Sequence, residues 1–271
     1  MPAINPARLR LQAAELAGLY DQPAAFVRGL HGLLDQYADR TRRPGQSGAP
    51  SPLMNAYNTP PPVIRRILIE LEPLIQKNQP AGQALCDALW VEAYLEFRSL
   101  AASLLGKLDP KSPELILERV RAWTGPQTET RLIELLLDTG LARLREEQPE
   151  LYLHQLEIWL GSEDVFTRQI GLRALHVSLQ AHSVQNLPVM YRLLGALVRE
   201  APAQLRPDLL AVLRDLAARS PQETTYFLRQ NLMIKSDNPG TAWLIRNSLR
   251  AFPPEQQASL RAALRAAAEV G

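Results

Sequence analysis

Cysteine is nearly missing from this chain: Cys86 stands alone among 271 residues. That excludes an internal disulfide and any cysteine-based zinc site. The four histidines, His31, His154, His176 and His182, show no paired metal-ligand spacing, and the six-residue gap between the last two puts them on different helix faces. No metal and no other cofactor is expected. Lysine is scarce as well, confined to positions 77, 107, 111 and 235 of 30 basic residues, so the basic side is almost all arginine. A strong net charge is missing: 30 basic against 28 acidic residues leave +2, which rules out binding through bulk polycation character. No apolar run approaches the roughly 20 residues of a membrane span. The N-terminal MPAINPARLRLQAAEL lacks the apolar core of a secretory signal. No membrane partner and a cytoplasmic location are therefore expected. Val, Ile and Thr are too scattered to write a strand, whereas Leu, Ala, Arg, Glu and Gln dominate and favour helices.

What is present is a rhyme. Trp90 is followed eight residues later by Arg98, Trp123 eight later by Arg131, and Trp159 nine later by Arg168. The tryptophans step by 33 and then 36 residues, and each arginine leads into leucines at helical spacing. Val198 with Arg206 repeats the pattern more loosely. A period of this size with two helices per unit is the mark of an α-solenoid. The units are too irregular for a consensus array, so the expected fold is all-α, a HEAT-like helical-repeat solenoid with a concave face that suits a large partner. One domain over 1–271 is expected, with a flexible loop at 41–59 where Pro, Gly, Ser and Asn crowd together. Helices are expected near 5–20 and 23–40. They resume near 62–77, 81–90, 93–107, 112–123, 127–145, 150–160, 163–181, 187–200, 203–219, 222–231, 240–251 and 254–269. Their stops are Asp109-Pro110, Ser112-Pro113, Thr124-Gly125-Pro126, Ser220-Pro221 and Asn238-Pro239-Gly240.

Four stretches, in order, carry a resemblance. YNTPPPVIRRIL (57–68) is similar to a T-P-x-x-R-x-I helix start, and ALWVEAYLEFRSLAASLL (88–105) to LW-x5-E-x-R-x-LA. SEDVFTRQIGLRAL (162–175) is similar to S-x-(N/D)-x-W-x-x-R-x-x-x-L. LLAVLRDLAARSPQETTYFLRQN (209–231) is similar to W-x-LR-x5-P-x5-F-L. Over about 55–265 the chain resembles the AlkD-like DNA alkylation repair glycosylases. The resemblance implies duplex DNA as partner and hydrolysis of the N-glycosidic bond of cationic N3- and N7-alkylated purines. In that family two tryptophans and an aspartate support the sugar cation, a role consistent with an oxocarbenium-like transition state.

Carried over residue by residue, the family's W-D-x-V-D motif falls on TRLIE (130–134). Thr130 takes the place of the tryptophan and Glu134 that of the catalytic aspartate; Asp138, one turn later, is the second candidate. The phosphate-binding arginine falls on Arg168, with Phe166 for the aromatic before it, and the second tryptophan falls on Ala211. Because Thr130 and Ala211 replace aromatics, robust glycosylase activity is not expected. Arg168, Arg173, Arg214, Arg246 and Arg250 are the candidate DNA-binding residues, with salt bridging to nearby acids as their competing role. Trp90, Trp123 and Trp159, equivalent in the repeat, read as packing residues. Glu96 and Arg98 read as inter-repeat hydrogen bonders, and Arg40, Arg42 and Arg43 as either a phosphate contact or a solvated helix end. Two other readings remain: a non-catalytic adaptor whose repeats bind a protein partner, and a binder of DNA structure that excises nothing.

Overall fold

The computed structural model describes residues 4–40, 54–181, 186–234 and 239–270. It is all-α and of the helical-repeat class. Among the described residues no strand occurs, only an isolated parallel bridge between Asn55 and Tyr94. The chain divides into two compact units, one ending at Gln148 and the other beginning at Pro149. Most of the expected loop, residues 41–53, lies outside the described residues, as do Arg42, Arg43, His182, Lys235 and Asn238.

The first unit holds α1 (Pro6–Ala17), α2 (Pro23–Tyr37), α3 (Pro61–Lys77), α4 (Gln79–Val91), α5 (Leu95–Leu105), α6 (Pro113–Trp123), α7 (Thr130–Leu135) and α8 (Ala142–Glu147). Proline opens α1, α2, α3 and α6, where its missing N–H costs nothing. The side chains of Asn5 and Asn78 cap α1 and α4 by accepting first-turn N–H groups. In α3 the stripe Val63, Ile67, Leu71, Ile75 recurs every four residues and is buried throughout. Each such side chain contributes about 1.5–3 kcal/mol on leaving water. Trp90 at the end of α4 and Trp123 at the end of α6 stack with centroids 4.5 Å apart and planes 7° from parallel. The equivalent ends of successive helix pairs thus meet ring on ring, which explains the spacing of those two tryptophans in the sequence.

One expected element breaks. Instead of a single helix over 127–145, α7 runs into a π-helical turn, Leu136–Gly140, before α8 begins. The turn packs closely on the end of α5: a Cβ on Gly106, the residue that follows α5, would lie 1.9 Å from the Thr139 carbonyl oxygen. The carbonyls freed by the wide turn are met by Arg145, only 4% exposed, which donates to Leu137 O at 3.1 Å and Asp138 O at 3.3 Å. Unmet carbonyls at this depth would each cost on the order of 1–3 kcal/mol.

The second unit holds α9 (Pro149–Leu160), α10 (Val165–Gln180), α11 (Leu187–Glu200), α12 (Arg206–Arg219), α13 (Pro221–Ile234), α14 (Pro239–Ser248) and α15 (Pro254–Val270). Short 3-10 turns precede α12 and follow α14. Its core is leucine-rich, built on Leu172, Leu175, Leu194, Leu209, Leu213 and Leu244. α11 stops at Ala201, whose left-handed backbone (φ 39°) turns the chain before Pro202.

Candidate functional site

The motif arginines share one geometry. Arg98 Nε donates to the Glu92 carbonyl at 3.0 Å, Arg206 Nε to Ala201 O at 3.1 Å, and Arg168 Nε to Ser162 O. Each sits in the first turn of a helix and reaches back to the turn that precedes it. The eight- or nine-residue step from tryptophan, or from Val198, to arginine is therefore a brace across the joint between paired helices. Arg131 departs from the pattern: it is exposed and braces no joint among the described residues. Two of the braces also lie over indole rings, Arg98 at 5.3 Å from the Trp90 centroid and Arg206 at 4.9 Å from that of Trp243.

Arg168 is fixed by the start of α10. Asp164 caps that helix, accepting from the Thr167 N–H and hydroxyl, both at 2.7 Å. These bonds, the hydroxyl first, hold the Asp164 carboxyl below the usual carboxylate range. With its Nε committed to Ser162, Arg168 keeps its two Nη groups; Nη1 is 3.8 Å from Glu200, a half-exposed carboxylate. A pair that long and that exposed is weak. Arg173 is engaged more closely, its Nε 3.1 Å from the largely buried Asp208. Next along α10, His176 Nδ1 meets Asp215, and Gln180 reaches the same carboxylate at 2.6 Å. The facing sides of α10 and α12 thus form a polar ladder. Arg214, Arg246 and Arg250 differ: all three are exposed, and among the described residues they make no ion pair and only Arg214 has an acceptor, the Leu210 carbonyl of its own helix. Phe166 and Ala211 are both partly exposed.

The carboxylate candidates lie in the first unit. Glu134 is exposed on α7 and bonded to no described side chain, since Arg143 goes to Glu147 and to the carbonyls of Lys107 and Leu108. Asp138 sits in the π-helical turn, 61% exposed, with Oδ1 3.7 Å from Arg145. Thr130 opens α7 and is exposed. Among the described residues no three His, Cys, Asp or Glu side chains gather to hold a metal, and no helix is long and apolar enough to cross a membrane.

A profile of the DNA alkylation repair enzyme family matches residues 34–252. The chain belongs to that family. No match was found among curated proteins. Membership places the protein in DNA alkylation repair, and the match takes in every candidate named above, from Glu134 to Arg250.

One cluster had no spacing to reveal it. Tyr57 stacks on Tyr94 with centroids 4.7 Å apart, and its hydroxyl is 2.8 Å from His31 Nδ1, while His31 Nε2 is 3.2 Å from Glu92. Beside it the buried Glu96 accepts from the N–H groups of Tyr57 (3.1 Å) and Thr59 (3.4 Å). The Glu96 of the LW-x5-E-x-R stretch therefore holds the segment leading into α3. Burial, reinforced by Tyr94, pushes the Tyr57 phenol up to about 12, and burial does the same to Tyr20, whose hydroxyl donates to Asn78 O at 2.8 Å. The folded protein keeps both protons at pH values where unfolded phenols, near 10.0, lose them. Stability is thus fully present below pH 10 and falls as pH rises toward 12. Urea midpoints at a series of pH values across that window, compared with Tyr20→Phe/Tyr57→Phe, should show a decline that the double variant reduces but keeps in part, because burial also pushes up the Cys86 thiol and the Tyr191 phenol.

Proposed function

We propose that this DNA alkylation repair family protein binds duplex DNA through guanidinium contacts to the sugar–phosphate backbone, made by its second unit. The observation that carries the reading is the partition among the five candidates. Arg214, Arg246 and Arg250 are exposed without an acid partner among the described residues, Arg168 has two Nη groups and one long pair, and Arg173 is held by Asp208. Arginine forks suit phosphate, and backbone contacts carry affinity without sequence information. A salt series on an undamaged duplex tests the reading. Affinity should fall linearly on a log–log scale, with about 0.9 in slope for each phosphate contacted; absence of binding at low salt would overturn it.

A second reading is favoured by Glu134, an exposed carboxylate without a partner among the described residues, on the helix where the resemblance places the family's acid. In that reading Glu134 stabilises the sugar cation and polarises water, and excision of N3- or N7-alkylpurines is slow because Thr130 and Ala211 supply no aromatic face. Incubation with N7-methylguanine duplex should release free base slowly, and Glu134→Gln should lower the rate by about 10²-fold or more, the scale of losing one electrostatic stabiliser. Release that survives the substitution moves the chemistry to Asp138. No release at all leaves the protein as a binder of DNA structure.

A further inference from the structure

A surface cleft of about 460 Å³ lies between the N-terminal halves of α1 and α3, wholly inside the first unit. Its wall is apolar, with Leu9, Pro62 and Ile69, and three arginines stand in it: Arg10, Arg65 and Arg66. Arg66 is paired with Glu70. Arg10 and Arg65 are exposed and form no hydrogen bond or ion pair with any described residue. Neither first turn carries an acidic residue. The cleft therefore presents two uncompensated positive charges around an apolar floor, and none of the arginines named for the second unit takes part in it.

We propose that this cleft is a binding site for a phosphate ester, with Arg10 and Arg65 on the phosphate oxygens and the organic part of the ester against Leu9, Pro62 and Ile69. Two free guanidinium forks decide for phosphate over carboxylate. A carboxylate has two oxygens held in one plane and satisfies one fork, whereas a phosphate monoester has three terminal oxygens, enough for both forks, and a tetrahedral phosphodiester can turn one terminal oxygen to each. Ile69 is 50% exposed, so covering it removes apolar surface from water as well. The ester is supplied either by a DNA backbone or by a free nucleotide, and the two sources separate experimentally.

The test uses the full chain and three variants. Arg10→Ala/Arg65→Ala removes the site. Arg28→Ala/Arg121→Ala removes the same charge from exposed positions of the first unit that do not line the cleft and that pair with no described residue. Arg214→Ala/Arg246→Ala/Arg250→Ala removes the three second-unit candidates that have no acid partner among the described residues. Circular dichroism should show all three folded, since none of these side chains is buried. Duplex affinity and binding of adenosine monophosphate are then measured at one salt concentration. A duplex Kd raised about tenfold by the cleft variant and little by its charge control identifies a backbone phosphodiester. Nucleotide binding lost only in the cleft variant identifies a free phosphate monoester. Equal effects of the cleft and control variants, or no effect of either on both ligands, overturn the proposal. The second-unit variant keeps the two readings apart, because a cleft effect that persists in its background stands even if those arginines contribute nothing to DNA binding.

Discussion

Replacing Gly106 by alanine should cost about 3 kcal/mol or more and lower the thermal midpoint of the first unit by roughly 10 °C. The backbone there is not the obstacle, because Gly106 has ordinary right-handed angles (φ −70°, ψ −4°) that alanine adopts freely. The obstacle is distance. A Cβ would lie 1.9 Å from the Thr139 carbonyl oxygen and 2.9 Å from its carbon, far inside contact distance, and both are backbone atoms that cannot swing away. To make room, the π-helical turn must move off α5, and the two Nη groups of the buried Arg145 then lose the Leu137 and Asp138 carbonyls they donate to. Gly32 in α2 is the matched control: a Cβ there meets nothing within 4 Å, so Gly32→Ala should stabilise by about 0.5–1 kcal/mol through helix propensity. Equal midpoints for the two alanine variants would mean that the contact at Gly106 is not a constraint.

That turn also marks where the sequence stopped being readable. Helix starts were legible because proline and asparagine act locally: Pro61, Pro113, Pro149, Pro221 and Pro254 each open a helix within a residue or two of the expected start. The family was legible through four ordered stretches, and the residues matched, 34–252, include the whole of the expected 57–231 motif set. The break inside 127–145 was not, because it packs against a glycine more than thirty residues earlier, and periodicity carries no information about which backbones touch. The tryptophan–arginine rhyme was visible as a repeat, yet its physical content was hidden. Nothing in the spacing says that Arg98, Arg168 and Arg206 spend Nε on a turn carbonyl. The His31–Tyr57–Tyr94 cluster draws on α2, a connecting segment and the turn before α5, separated too widely for a pattern to link them.

Removing Arg214, Arg246 and Arg250 together should lower the salt dependence of duplex binding by about 2.7 in log–log slope, three contacts at about 0.9 each, and weaken binding by roughly 10²–10³-fold near 0.1 M salt. The thermal midpoint should hardly move, because none of the three is buried or ion-paired with any described residue. Arg173→Ala should do the reverse. It strands Asp208, whose side chain is only 16% exposed, and so should cost stability while leaving the slope near its original value. Arg168→Ala should fall between, losing the brace to Ser162 and one phosphate contact at once. The contrast matters more than any single loss, since a variant that unfolds also fails to bind. Slope without midpoint for the triple variant, and midpoint without slope for Arg173, is a pattern that general destabilisation cannot produce. A triple variant with the original slope would remove these three arginines from the DNA interface.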